Sequence, residues 1–125
     1  MHIKYLLIVI LFFPSLAHAD VTAEAKQLFT DYLDSIHEQN YTKLISLMDD
    51  NFLKETGGED KWREVVQDPS PKEVVKKVEV KKVNKHYFAR FSTPGEGESL
   101  TDSVWFVLAR KDGKLFLHGV AQSCE

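Results

Sequence analysis

The sequence predicts an α+β domain in which three N-terminal helices pack on a curved, four-stranded antiparallel sheet. In the first half of the chain, apolar residues recur at helical spacing, most clearly from Ala25 to Ile36. From Glu73 onward the apolar period changes to two, which is typical of half-buried strands. Short turn signals separate these strands, and strands joined by short turns pair antiparallel.

Residues 1–19 have the three parts of a cleavable secretory signal. A positively charged start precedes the apolar run Tyr5 to Phe13, and Ala17-His18-Ala19 places small residues before Asp20. The run is too short for a membrane span, which needs about 20 residues. The alternative is an uncleaved N-terminal anchor. We expect residues 20–125 to form one domain that is periplasmic or secreted and has no membrane attachment after cleavage.

Charge and cysteine content narrow the range of functions. The sequence has 16 Lys and Arg against 19 Asp and Glu, a net charge of −3. Nucleic acid is therefore not a predicted partner, because phosphate backbones attract basic surfaces. Cys124 is the only cysteine, which excludes an intramolecular disulfide and a thiolate zinc site. We interpret it as a tail thiol, with pairing to another chain as the alternative.

Three helices are predicted before the sheet. Thr22 caps the first helix, whose apolar stripe lies on one face. The stripe consists of Ala25, Leu28, Phe29, Tyr32, Leu33 and Ile36. Asn40 caps a second helix, which we expect to end at Asp49-Asp50-Asn51. Gly57-Gly58 separates it from a short third helix, which ends at Asp68-Pro69-Ser70-Pro71 because proline cannot continue a helix.

Four strands follow the helices. They run from Glu73 to a turn at Asn84-Lys85, from His86 through Phe91, from Ser103 to Lys111 and from Leu115 to Gln122. An acidic hairpin loop, residues 93–99, connects the second strand to the third. Asp112-Gly113 supplies the positive φ angles of a type I′ turn before the last strand.

This order of elements resembles the NTF2-like, or cystatin-like, superfamily. The similarity is most specific from Tyr32 to Phe52, where an aromatic residue, a helix end, a polar turn, a second helix and an acidic pair follow one another. Gly57 to Trp62 is similar to the family's glycine-led third helix, and Val104 to Val120 is similar to its last two strands. The resemblance implies a cone-shaped sheet with a pocket at its open end and a dimer surface on its outer face.

Aromatic residues are the simplest lining for such a cone and its pocket. The binding candidates are Phe29, Tyr32, Trp62, Tyr87, Phe91, Trp105 and His118. Tyr32 matches the hydrogen-bond donor of the family's steroid-isomerase branch, and His118 or Asp102 is the candidate catalytic base. The branch's own base lies on a strand between the second and third helices. Residues 51–56 are too short for that strand and offer only Glu55. Tyr32 as a core aromatic and His118 as a hydrogen-bonded sheet histidine are the structural alternatives.

Two further patterns concern cations and charge. The mature histidines form no H-x-x-x-H or H-x-H pair, so neither a metal nor a cofactor is predicted. The first strands carry a basic stretch, which consists of Lys76, Lys77, Lys81, Lys82 and Lys85. We interpret this stretch as a solvated face or a protected sheet edge, and alternatively as a surface for an acidic partner.

Three functional hypotheses follow. The leading one is an exported, non-enzymatic domain that binds a small apolar ligand or a partner protein, as an envelope, secretion or toxin-neutralising accessory. The second is an isomerase or dehydratase whose Tyr32 and His118 or Asp102 point into one cavity. The third is a purely structural module whose cone is filled by Phe29, Trp62 and Trp105, without a cavity of ~300 Å³. A homodimer through the sheet face accompanies the leading hypothesis.

Overall fold

Four helices followed by four strands make up residues 21–94 and 104–122, the part of the chain that the computed structural model describes. The helices are α1 (Val21–His37), α2 (Tyr41–Ser46), α3 (Asp50–Thr56) and α4 (Glu59–Gln67). The strands are β1 (Lys77–Val83), β2 (His86–Ser92), β3 (Trp105–Lys111) and β4 (Lys114–Ala121). The predicted α+β class is confirmed, with the helices packed on a curved, open antiparallel sheet. The predicted signal, most of the acidic loop, Asp102 and Cys124 lie outside the described residues.

Two polar side chains set the beginnings of α2 and α3. The Asn40 side chain accepts a hydrogen bond from the Lys43 backbone N–H at 3.1 Å, as the sequence predicted. Asp49 acts in the same way, because its Oδ1 atom accepts from the Phe52 N–H at 3.0 Å. The structure therefore adds α3 to the three predicted helices. Asp49-Asp50-Asn51 follows the end of α2 and also begins a new helix, since a side-chain oxygen satisfies N–H groups of the first turn.

The strands lie in the order β1-β2-β3-β4, and each neighbouring pair is antiparallel. Asn84 has φ 57°, and Asp112 and Gly113 have φ 52° and 79°, so both predicted tight turns use left-handed backbone. The first strand begins at Lys77 and not at Glu73. Val74, the first apolar residue of the predicted alternation, is 60% exposed and precedes the paired part of the sheet.

Side chains alternate between two faces of the sheet. The inner face packs on the helices and includes Val78, Val80, Tyr87, Ala89, Phe91, Phe106, Leu108, Leu115 and Leu117. The outer face includes Glu79, Lys81, His86, Phe88, Arg90, Trp105, Val107, Ala109, Lys111 and Phe116.

The segment between α2 and α3 lies along the edge of β4. Leu117 donates its N–H to the Leu47 carbonyl at 2.8 Å, and Asp49 donates its N–H to the Leu117 carbonyl at 3.0 Å. Met48 forms a parallel bridge with Leu117 between these two hydrogen bonds. This pairing covers the β4 edge and places Asp49 directly beside the last strand.

None of the helices within residues 21–94 and 104–122 combines the length and the apolar character that crossing a membrane requires.

Candidate functional site

Aromatic side chains fill the space between the inner face of the sheet and α1. Phe29 is fully buried, and its ring centroid lies 4.6 Å from that of Phe91 and 5.4 Å from that of Phe106. Tyr32 contacts Trp62 and Phe106 edge to face, at 6.1 Å and 6.0 Å between centroids. These tilted and edge-on arrangements are the preferred geometries of aromatic pairs. Four of the predicted binding residues therefore form two contacting pairs in the core, Phe29 with Phe91 and Tyr32 with Trp62, and Phe106 joins the two pairs.

Phe52 is a member of this cluster that sequence reasoning did not single out as a site residue. Its ring stacks on Trp62 at 5.9 Å and on Phe106 at 6.3 Å. The start of α3 therefore contributes to the same aromatic cluster as α1 and the sheet. Burial raises the pKa of Tyr32 to about 12, so its hydroxyl stays protonated at neutral pH.

His118 lies at a β-bulge on the opposite side of the sheet. Val107 pairs with Gly119 and Leu108 with Leu117, so His118 is the extra residue in β4. Its Nδ1 atom lies 2.5 Å from Oδ2 of Asp49. The same carboxylate oxygen lies 3.2 Å from Nζ of Lys111 on β3. Asp49 is only 8% exposed, and its carboxylate contacts His118, Lys111 and the backbone N–H of Phe52.

The pKa of Asp49 reflects this environment. Burial acts to raise the pKa of the carboxyl, but hydrogen bonds from His118, the Phe52 N–H and Lys111 together outweigh burial and lower it. Asp49 is therefore ionised over the physiological range. An ionised carboxylate next to Nδ1 fixes the orientation of the His118 ring. Nε2 is then the ring nitrogen that Asp49 does not contact.

His86 on β2 lies against His118, with 4.6 Å between the ring centroids. Burial is the first cause that lowers the pKa of His86, and the charges of His118 and Lys85 lower it further, whereas Asp49 raises it. Sequence reasoning did not foresee this pair. The contact depends on the register of three strands and on the bulge, and neither has a local sequence signal.

Tyr32 and His118 lie on opposite faces of the sheet. Tyr87 packs against the core, so the preceding residue, His86, points to the outer face, where it meets His118. Tyr32 contacts Phe106 on the inner face. The structure therefore does not bring Tyr32 and His118 into one cavity.

Trp105 also lies apart from the inner aromatic residues. The Arg90 guanidinium carbon lies 4.2 Å from its ring centre, and the Lys81 ammonium lies at 5.6 Å. Arg90 in turn donates from Nε to Glu79 at 2.7 Å. Trp105 is only 4% exposed, and it lies on the outer face of the sheet, apart from the inner aromatic residues. Of the predicted binding residues, Trp105 and His118 lie on the outer face of the sheet. The other five lie on its inner side, on strands or on the helices packed there.

The centre of the outer face is apolar. Phe88 of β2 pairs with Val107 of β3 and with Lys81 of β1. Phe88, Val107 and Phe116 are each half-buried, but unlike the half-buried residues of the inner face, such as Phe91 and Phe106, they are not among the residues that pack against the buried core. We refer to Phe88, Val107 and Phe116 as the outer apolar patch.

Charge is divided between the two layers of the domain. Residues 21–76, which contain the helices, have 12 Asp and Glu against seven Lys and Arg. Residues 77–125, which contain the strands, have eight Lys and Arg against six Asp and Glu, and four of these six acidic residues lie outside the described part of the chain. The second half of the sequence therefore has a small basic excess, and its basic residues lie on the described strands and turns, although the whole chain is mildly acidic.

A pocket of about 180 Å³ lies between α1 and the start of β4. It is lined by Glu24, Gln27, Leu28, Asp31, Leu47, Lys114 and Leu115. None of the predicted binding residues borders this pocket. Its volume is below the ~300 Å³ that is usual for small-molecule sites.

In the described ranges, no three His, Cys, Asp or Glu side chains are placed to hold a metal ion. Comparison of the chain with protein-family models, with curated proteins and with solved structures finds no match.

Proposed function

We propose that the mature chain is an exported, non-enzymatic NTF2-like domain that binds a partner protein through the outer face of its sheet. The observation that carries this proposal is the contrast between the two faces. On the inner face, aromatic rings contact one another and are covered by helices. On the outer face, the outer apolar patch is half-buried, does not pack against the core and lies beside the Arg90–Trp105 pair. Aromatic residues and arginine are enriched where proteins bind one another.

The order of helices and strands supports the NTF2-like part of the proposal, and the signal-like residues 1–19 support export. A small apolar ligand has less support than a protein. The predicted ligand-binding residues on the inner face, such as Phe29 and Tyr32, contact other rings of the core. An isomerase-type mechanism with Tyr32 and His118 lacks the shared cavity that it requires.

The proposal is tested by native mass spectrometry of the chain recovered from its native compartment under mild conditions. We would compare the wild type with Phe88→Ser, which removes a half-buried ring at the centre of the outer face. Val74→Ser is the matched control, because Val74 is exposed but precedes the paired strands. Circular dichroism verifies that each variant is folded.

We expect a chain of residues 20–125 that retains a protein partner in the wild type and in Val74→Ser and loses it in Phe88→Ser. Equal retention in all three forms would contradict the assignment of the outer face. A retained small molecule without a protein would instead support the ligand hypothesis.

A further inference from the structure

We infer that the outer face binds an acidic, apolar segment of the partner protein, in which carboxylates alternate with aliphatic or aromatic residues. This inference rests on the proposed function and specifies its partner. It follows from three observations on the outer face: the arrangement of charge, the shape of the apolar row and the burial of Trp105.

Most of the charged side chains that the structure describes on the outer face are basic. They include Lys77, Lys81, Arg90, Lys111 and Lys114. Within residues 21–94 and 104–122, the two carboxylates near this face are paired, Glu79 with Arg90 and Asp49 with His118 and Lys111. A carboxylate-rich segment would therefore meet complementary charge, which raises association rates and suppresses basic partners.

Apolar and basic residues of this face occur in one row across the strands. Lys81, Phe88 and Val107 are consecutive partners on β1, β2 and β3. Phe116 lies on the next strand, β4, beyond Ala109. An extended segment that presents acidic and apolar side chains would contact the lysine and the outer apolar patch together.

The same observations argue against two other occupants. A second copy that packs sheet on sheet would bring the basic rows of both copies together, and like charges across an interface are unfavourable. An anionic membrane also attracts basic faces, but interfacial binding uses exposed apolar side chains, and Trp105, the largest side chain on the described outer face, is only 4% exposed. The charge and the burial therefore favour an acidic protein segment.

The test uses residues 20–125 and two soluble, fluorescently labelled peptides of about ten residues, long enough to cross the sheet. One peptide alternates Glu with Leu, and the other alternates Lys with Leu. Affinities are measured by fluorescence anisotropy at low and at high salt. We expect the Glu–Leu peptide to bind at least about tenfold more tightly than the Lys–Leu peptide, and less tightly at high salt.

Paired variants locate the interaction. Lys81→Glu reverses a charge on the outer face, and Lys26→Glu makes the same change on α1, where Lys26 is exposed. We expect Lys81→Glu to weaken Glu–Leu binding by about threefold or more, whereas Lys26→Glu has little effect. Equal effects of the two variants, or no binding of the Glu–Leu peptide, would overturn the inference.

Other outcomes separate this inference from the proposed function. If both peptides bind equally and Phe88→Ser weakens both, the outer face binds a partner but the acidic preference is wrong. If Phe88→Ser changes neither affinity, the outer face itself is wrongly assigned. Tighter binding to phosphatidylglycerol vesicles than to the Glu–Leu peptide, or a stable dimer in sedimentation, would assign the face to a membrane or to a second copy and overturn the inference.

Discussion

The Nδ1 atom of His118 lies 2.5 Å from Oδ2 of Asp49, and this contact joins the bulge in β4 to the residue that caps α3. Asp49 also receives the Phe52 N–H and lies 3.2 Å from Lys111 Nζ. One carboxylate therefore connects a helix start to two strands. Because this residue is nearly buried, its replacement has consequences for both stability and pH dependence.

Replacement of Asp49 separates its capping role from its charge. We expect Asp49→Ala to lower the free energy of unfolding by about 1–3 kcal/mol, since the α3 cap and the partner of His118 are both lost. Asp49→Asn keeps an oxygen that can cap the helix, so it should cost less. Urea unfolding measures both values. Equal losses in the two variants would show that capping is not part of the effect.

The lowered pKa of Asp49 also predicts how the free energy of unfolding depends on pH. Its pKa is lowered below the ordinary value of 3.8 in the folded protein, so below this pH the unfolded chain binds more protons than the folded one. The stabilisation is fully present above pH 3.8 and is lost as the pH falls through the lowered pKa. Unfolding free energies across this range should fall less steeply in Asp49→Asn than in the wild type. Identical slopes would contradict this role.

His86 should titrate below its ordinary pKa of 6.5, first because it is partly buried and second because His118 and Lys85 lie nearby. Its folded form binds fewer protons than the unfolded chain, so stability decreases as the pH falls below 6.5. In His118→Gln the pKa of His86 should rise, but only in part, because burial remains. Ring-proton NMR titrations measure this shift. An unchanged His86 pKa in His118→Gln would show that the two rings do not interact.

Gly119 and Glu55 are predicted to be energetically coupled. A Cβ atom on Gly119 would lie 2.9 Å from Glu55 Oε1, an atom that accepts a hydrogen bond from the Val120 N–H. Because the carboxylate is the flexible end of its side chain, we expect it to move away in Gly119→Ala, at a cost of about 1 kcal/mol.

In a Glu55→Ala background, Gly119→Ala should cost close to nothing, because there is no carboxylate to displace. A double-mutant cycle of urea unfolding measures this coupling. Additive costs for the two substitutions would contradict the predicted displacement.

The sequence identifies the elements whose signals are local. The stripe from Ala25 to Ile36, the Asn40 cap and the Asp112-Gly113 turn depend on residues a few positions apart, and each is present in the structure. The additional helix α3 also has a local signal in Asp49. That signal is ambiguous, because acidic and amide residues are frequent both at helix starts and in the turns that separate helices.

The division of residues between the two faces could not be predicted for β3. The run from Val104 to Leu108 is apolar at every position, so alternation does not show whether Trp105 or Phe106 points to the core. The structure places Phe106 inside and Trp105 outside. The contact between His86 and His118 requires the register of distant strands, which a pattern along one chain does not contain.

The two tryptophans allow the most direct test of the claim that the outer face binds the partner. Trp62 lies in the inner aromatic cluster and Trp105 on the outer face, and the chain has two tryptophans in total. Trp62→Phe and Trp105→Phe each leave one tryptophan, whose fluorescence then reports on one face. The Glu–Leu peptide should change the emission of Trp62→Phe, in which Trp105 remains, and leave that of Trp105→Phe unchanged. A change confined to Trp105→Phe would place binding on the helix side and contradict the account.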